Sequence, residues 1–290
     1  MPNVCLDDCQ IEYDDTGSGE PIIFCHEFAG SMESWNFQKN YFARRYRVIS
    51  YNAKGYPPSS IPGSWKEYTY DHQVSVLLDL LDHLNIPQAY ICGLSMGAYT
   101  ALQFAIRYPN RCSGIIAAGV GTGSANPEQF LQESEERAGL LEKNGMNAMD
   151  PYLSGSTRIR FKEKDPLGWG LFSNLFHTHS PQGSANTLRG FQGRRPSIFT
   201  LKAELMSLQI PVLVMAGDED EPCIDPSFFI KQNAPRCGIA IFPQTGHAIN
   251  LEEPASFNYF VNEFLNSIKS GKWNEMPEDS GDNWAVSPPK

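Results

Sequence analysis

The sequence contains no Asn-x-Ser/Thr sequon, and no apolar run approaches the ~18 residues that a membrane-spanning helix requires. Its first residues, Met-Pro-Asn-Val-Cys-Leu-Asp-Asp, have neither a basic stretch nor a long apolar one, so no secretory signal is read there. Internal repeats and long low-complexity segments are missing as well. Charge is scarce at 19%, and basic charge scarcer: 23 Lys and Arg stand against 33 Asp and Glu, a net −10. A surface of that sign repels phosphate backbones and argues against a nucleic-acid partner. Little charge combined with 12% aromatics also excludes a disordered polyampholyte for the bulk of the chain.

Cysteine is present in an odd number, seven: Cys5, Cys9, Cys25, Cys92, Cys112, Cys223 and Cys237. Several lie inside apolar runs, which suits buried free thiols in a reducing compartment. With no sequon, no signal and no span, the expectation is a cytoplasmic protein with no membrane partner. The 290 residues, 41% hydrophobic with 24 glycines, suit one α/β core carrying an insertion.

Short apolar runs alternate with helical patterns along the chain, as in βαβ units around a parallel sheet. Residues 11–14 read as an edge strand, and 21–26, 48–51, 89–92 and 114–118 as strands, most of them too continuously apolar to face water on one side. Val74, Leu77, Leu78 and Leu81 recur at helical spacing within 71–84, and a second helix over 98–108 is stopped by Pro109. From about 121 to 200 the rhythm breaks into polar helical stretches, scattered aromatics and glycines. Strands resume at 211–215 and 238–242, before a final helix over 254–268. The reading is an α/β fold with a mostly parallel twisted sheet flanked by helices. Residues 1–120 and 201–270 form its core, 121–200 a helical insertion above the sheet, and 271–290 a loose tail despite Trp273 and Trp284.

The strongest local signal is Gly93-Leu94-Ser95-Met96-Gly97, a Gly-x-Ser-x-Gly run between a predicted strand and a predicted helix. A sharp strand-to-helix turn holds such a serine in a strained conformation, and side chains two positions to either side would collide with the helix or neighbouring strands. The hydroxyl then stands at the carboxyl end of the sheet, where open α/β sheets place their sites. A serine hydroxyl needs a base, and the base an orienting acid. His247, in a loop between the last strand and the last helix, is the base candidate. His72 and His83 fall on a predicted helix, and His177 and His179 lack a third ligand at metal-like spacing, so no metal is expected. The acid lies in the run Asp218-Glu219-Asp220-Glu221 after the penultimate strand.

Ser95, an acid near 220 and His247, in that chain order, resemble the α/β-hydrolase superfamily over about residues 11–268. His26 at a strand end, the Asn52 to Gly55 loop, Tyr108-Pro109, Gly217-x-x-Asp220, Gly246-His247 and Glu252-x-Pro254 match in order. The resemblance implies a helical cap above the nucleophile and a serine hydrolase acting on a small molecule with a reactive carbonyl. It implies no cofactor, and a monomer or homodimer. It makes Asp220 the third triad member, with Asp218 as the alternative. It assigns the oxyanion hole to the backbone N–H groups of Met96 and Phe28, and to His26 a ring hydrogen bond that braces the loop. Glu27 departs from the family pattern, which has glycine there; either the loop runs differently, or Glu27 has a local role such as pairing with an arginine, or its carboxylate turns to solvent.

Tyr152, Leu153, Trp169, Phe172, Phe176 and Phe191 are candidate lining residues of the cap, or simply its own core. Ile249, beside His247, and Glu27 join them as candidate substrate contacts. Arg189, Arg194 and Arg195 invite an anionic substrate, since a guanidinium fork grips a carboxylate; the alternative is ion pairing with Glu133, Glu135 or Glu136. A hydrolase of carbon–carbon bonds in ring-cleavage products, a cofactor-free oxygenase or lyase, and a slow-turnover ligand receptor are the competing readings of the same residues.

Overall fold

The computed structural model describes residues 2–6, 9–28 and 30–275. One sheet holds β1 (Asn3–Leu6), β2 (Cys9–Gly17), β3 (Pro21–Cys25), β4 (Arg47–Tyr51), β5 (Ala89–Leu94), β6 (Cys112–Ala118), β7 (Val212–Gly217) and β8 (Cys237–Phe242). The strand order is β1-β2-β4-β3-β5-β6-β7-β8. β1, β2 and β4 pair antiparallel, and every pairing from β4 across to β8 is parallel. The expected edge strand at 11–14 is thus a second strand: β1 lies outside it, with Asn3 opposite Glu12 and Leu6 opposite Cys9. Four residues, half of them exposed, are too short to stand out in the sequence.

The period of two sorts the strand side chains into two cores. Ile23, Ile91, Ile115 and Val212 pack on the face covered by α2 (Tyr70–His83) and α3 (Met96–Arg107). Ile22, Phe24, Cys92, Ile116 and Leu213 face the other way, toward Phe42, Phe257 and Phe264. Phe42 belongs to α1 (Asn36–Phe42), which precedes α2; Phe257 and Phe264 come from the last helix of the chain. With both faces covered, all residues of β5 and β7 are buried, which is why they read as continuous apolar runs.

Between β6 and β7 the chain forms α4 (Pro127–Asn144), α5 (Asp150–Leu153), α6 (Ser156–Lys164), α7 (Pro166–His177) and α8 (Pro181–Thr187), with no strand among the described residues. Asn126 and Asp165 cap α4 and α7 by accepting from Gln129 N and Gly168 N, each with proline at the first helical position. Then follow α9 (Lys202–Met206), α10 (Glu221–Asn233), α11 (Ile249–Glu252) and α12 (Pro254–Lys269).

Helix α6 is stitched to the loops at the carboxyl edge of the sheet. Thr157 O accepts from His247 N at 2.7 Å, Arg160 pairs with Glu219 at 2.7 Å, and Lys164 pairs with Glu253 at 2.7 Å. The start of the expected tail is also fastened: Trp273 Nε1 donates to Arg236 O at 2.9 Å and the ring packs edge-on against Phe264. Trp284 and the rest of that expected tail, 276–290, lie outside the described residues.

Candidate active site

Ser95 sits between β5 and α3 with φ 55° and ψ −109°, in the left-handed region that a serine rarely adopts. The flanking glycines make the turn possible. A Cβ on Gly93 would lie 2.2 Å from the Gly97 carbonyl, and one on Gly97 would lie 2.0 Å from Cys25 O. Only hydrogen fits at either place, so β3, β5 and α3 close around the serine and present it at the end of the sheet.

His247 and Asp220 arrive on the loops after β8 and β7. The imidazole Nδ1 and Asp220 Oδ2 are 2.7 Å apart, and both side chains are buried. Of the four consecutive acids, Asp220 is the one that reaches His247: Asp218 accepts from Thr245 N, Glu219 holds Arg160, and Glu221 opens α10. Burial works to raise the Asp220 carboxyl, but the facing His247 charge and hydrogen bond, then Cys223 and Arg158, outweigh it and hold the acid below its ordinary value. Ser95 and His247 line one cavity of about 90 Å³ with Phe28, Tyr152, Arg158 and Asp220. The His247 ring makes its short hydrogen bond to Asp220, and none joins it to Ser95 Oγ among the described residues.

Glu27 does not turn to solvent. Its carboxylate is buried, with Oε2 2.9 Å from Arg158 Nη2 and 3.9 Å from His247 Nε2. Arg158 also donates to the Tyr152 hydroxyl at 2.6 Å and lies over that ring at 4.1 Å. Burial opposes its charge, but Tyr152 and Glu27 together keep the guanidinium above its ordinary value. Nothing in the sequence marks Arg158 among the four cations of 156–164; only its contact across the fold singles it out. His26 Nδ1 donates to Glu27 O at 2.7 Å while Nε2 accepts from Ala53 N at 2.9 Å, and burial lowers this imidazole to about 3. The ring therefore stays neutral and braces the loop that carries Glu27 and Phe28.

The remaining candidates divide. Tyr152 lines the cavity and Phe28 packs edge-on against it at 6.0 Å. Met96 is the buried first residue of α3. Trp169, Phe172 and Phe176 do not line the cavity: the first two pack with Phe161 as the insertion's own core, and Phe176 lies behind Tyr152. Leu153 is buried in that same core, away from the cavity lining. Phe191 is buried against Tyr99. Ile249 turns into the core shared with Phe257, on the far side of the sheet.

Arg189 and Arg194 form ion pairs with α4, where Glu135 takes both and Glu142 takes Arg189 as well. Arg195 differs. It is buried among the rings of Tyr99, Phe191 and Phe130 at 5.1, 5.6 and 5.9 Å, donates Nη2 to Thr122 O, and meets no carboxylate among the described residues. Burial pushes this guanidinium down to about 10, and its Nη1 has no hydrogen-bond partner among the described residues. Thr122, Phe130 and Gln192 line both the Ser95 cavity and the small pocket beside Arg195.

Comparison with known proteins agrees with this architecture. The chain is 27% identical to the putative 2-succinyl-6-hydroxy-2,4-cyclohexadiene-1-carboxylate synthase of Bacillus subtilis, over 87% of this chain and 92% of that protein. It is 26% identical to a 2-hydroxy-6-oxononadienedioate/2-hydroxy-6-oxononatrienedioate hydrolase of Pseudomonas putida, over 89% and 92% of the two chains. The crystal structure of the enol-lactonase from Burkholderia xenovorans superposes with a TM-score of 0.82 at 21% identity, covering 91% of this chain and all of that one. A model of the alpha/beta hydrolase fold family matches residues 20–254. With that match spread over the parallel sheet, the elbow and the loops after β7 and β8, the chain belongs to the alpha/beta hydrolase fold family and is an α/β-fold hydrolase.

Proposed function

We propose that this protein is a serine hydrolase that cleaves an ester or related carbonyl bond of a small molecule through Ser95, His247 and Asp220. The observation that carries the reading is the 2.7 Å contact between buried His247 and Asp220 in the same cavity as the strained Ser95. His247 takes the Ser95 proton as the hydroxyl attacks the carbonyl, then returns it to the leaving group. Water enters, gives its proton to His247 and releases the acid from the acyl-enzyme. Asp220 holds the imidazole with its proton on Nδ1 and stabilises the imidazolium. Serine–histidine contacts are often long before substrate binds, and their tightening belongs to the reaction.

The developing oxyanion falls to the backbone N–H of Met96, at the positive end of α3, and to that of Phe28. One such donor is worth about 10²–10³ in kcat. Glu27 would oppose a negative charge here, but Arg158 neutralises it locally. Residues 121–200 act as the cap, with Tyr152, Thr157 and Arg158 among its contributions to the cavity wall. A cavity of about 90 Å³ holds a short acyl group; longer chains require the cap to shift.

A second reading has a specific support. Buried Arg195, which meets no carboxylate among the described residues, suits a substrate that brings one, and the names of the two relatives compared above both include a carboxylate. In that reading the bond cleaved is a lactone C–O or a C–C bond in a carboxylate-bearing molecule.

The test is labelling by a fluorophosphonate together with a panel of p-nitrophenyl esters of graded chain length. Expected are one label on Ser95, none in Ser95→Ala, and turnover favouring short acyl chains. Stoichiometric labelling at another residue in Ser95→Ala refutes the assignment, and silence on every ester passes the function to the carboxylate-bearing substrates.

A further inference from the structure

Cys223 has no part in the acyl transfer proposed above, yet it lies in the innermost layer of the site. It is fully buried on α10, with Sγ 3.9 Å from His247 Nδ1, 3.2 Å from Gly119 O and 3.1 Å from Thr122 Oγ1. Asp220 Oδ2 approaches the same Nδ1 at 2.7 Å. One ligand atom from each of Asp220, Cys223 and His247 lies within 4.8 Å of the other two.

A thiolate, an imidazole nitrogen and a carboxylate oxygen are the donors that zinc and its heavier relative cadmium accept. Tetrahedral bonds of zinc length place nitrogen and sulfur about 3.6 Å apart and nitrogen and oxygen about 3.3 Å apart. The Nδ1–Sγ separation of 3.9 Å is already close to that, and the Nδ1–Oδ2 pair has to open by about 0.6 Å. Charge favours the exchange. A dication with one thiolate, one carboxylate and a neutral imidazole sums to zero, so burial costs the cluster little as a unit. Asp220, His247 and Thr122 also line the cavity, which supplies an entry path and a place for a fourth ligand, water or Thr122 Oγ1.

We propose that Asp220, Cys223 and His247 form an inhibitory site for a borderline-soft divalent cation of the zinc or cadmium class. The cation forms bonds to Nδ1, Sγ and a carboxylate oxygen; the Sγ proton leaves to solvent, and the imidazole exchanges its Nδ1 proton for one on Nε2. With Nδ1 taken by the metal, the neutral imidazole carries its proton on Nε2, the nitrogen on the side of Glu27 Oε2, 3.9 Å away. That nitrogen then has no lone pair for the Ser95 proton, and the nucleophile is left without a base. The inhibitory half of the proposal rests on the serine-hydrolase reading; the metal-binding half does not.

The experiment uses the full chain with Cys5→Ser in every sample, because Cys5 is an exposed thiol. Cadmium is titrated while the ultraviolet cadmium–thiolate absorption is followed, and fluorophosphonate labelling is timed with and without the metal. Expected are one cadmium per chain with a thiolate band, loss of that band in Cys223→Ala, and labelling slowed tenfold or more by cadmium only where Cys223 is present. Each variant is compared with its own metal-free rate. If Cys223→Ala does not give the cooperative melt of the parent, Cys223→Ser replaces it, since a hydroxyl is a poor ligand for cadmium. No thiolate band in the parent, an equal band in the variant, or equal slowing in both overturns the proposal. A chain that shows the band but takes no label at Ser95 fails the hydrolase reading and the inhibitory half, and retains the metal site.

Discussion

Glu27 and Arg158, 131 residues apart in the chain, meet in a buried ion pair at 2.9 Å. The contact joins the loop after β3 to helix α6 and places a neutralised charge pair beside the His247 imidazole. It also accounts for a glutamate where the resemblance implies glycine: the carboxylate has a buried cation waiting for it.

Removing one member of a buried pair strands the other, at a cost of about 3–5 kcal/mol. Glu27→Gln keeps the shape and loses the charge, so a large part of that cost is expected in urea unfolding at unchanged slope. Glu27→Leu with Arg158→Met, which leaves no stranded charge, should be more stable than either single change. A Glu27→Gln protein within about 0.5 kcal/mol of the parent would show that the pair is not what fastens α6.

Asp220 is hydrogen-bonded to His247, while Asp218 accepts from the Thr245 amide. Asp220→Asn should therefore lower kcat by about 10⁴ with little change in KM, while Asp218→Asn stays within a few-fold. Steady-state kinetics on the best ester of the panel decide it. Equal losses in the two variants would contradict the division of labour among the acids.

Arg195 supplies a buried guanidinium that meets no carboxylate among the described residues, and Arg189 and Arg194 are already paired. Arg195→Met should raise KM for a carboxylate-bearing substrate about tenfold or more, the scale of one lost charge-assisted hydrogen bond, and leave a neutral ester nearly unchanged. Arg189→Met should do neither. An equal effect of Arg195→Met on both substrate types would reduce the residue to packing.

His177 Nε2 and Asp150 Oδ1 are 2.8 Å apart and join α7 to α5. The hydrogen bond to Asp150, more than any other influence, raises the His177 value above its ordinary one. A histidine raised on folding stabilises fully below its unfolded value of about 6.5 and loses that contribution as pH climbs through the higher folded value. Asp150 is well exposed, so the effect is a few tenths of a kcal/mol. Between pH 6 and 8.5, Asp150→Asn should lose less stability than the parent in paired urea titrations. Parallel curves would leave the pair without a measurable role.

Much of this protein could be read along the chain because the physics involved is local. Continuous apolar runs flag β5 and β7, since both faces of the sheet are covered. The two glycines around Ser95 are dictated by a turn that their own neighbours crowd. Even helix starts such as Asn126-Pro127 and Asp165-Pro166 lie within four residues of what they cap. What the tertiary structure alone decided are pairings whose members lie far apart in sequence. Three neighbouring arginines look alike as letters, but α4 offers carboxylates to two of them and aromatic rings surround the third. Trp169 and Phe172 turn to each other and do not line the cavity that holds Ser95, and Arg158 and Cys223 acquire meaning only where α6 and α10 bring them against Glu27 and His247. Backbone geometry and hydrophobic period act over a few residues and are written in their order; the partner of a charge or a thiol is whatever the folded chain puts within a few ångströms of it.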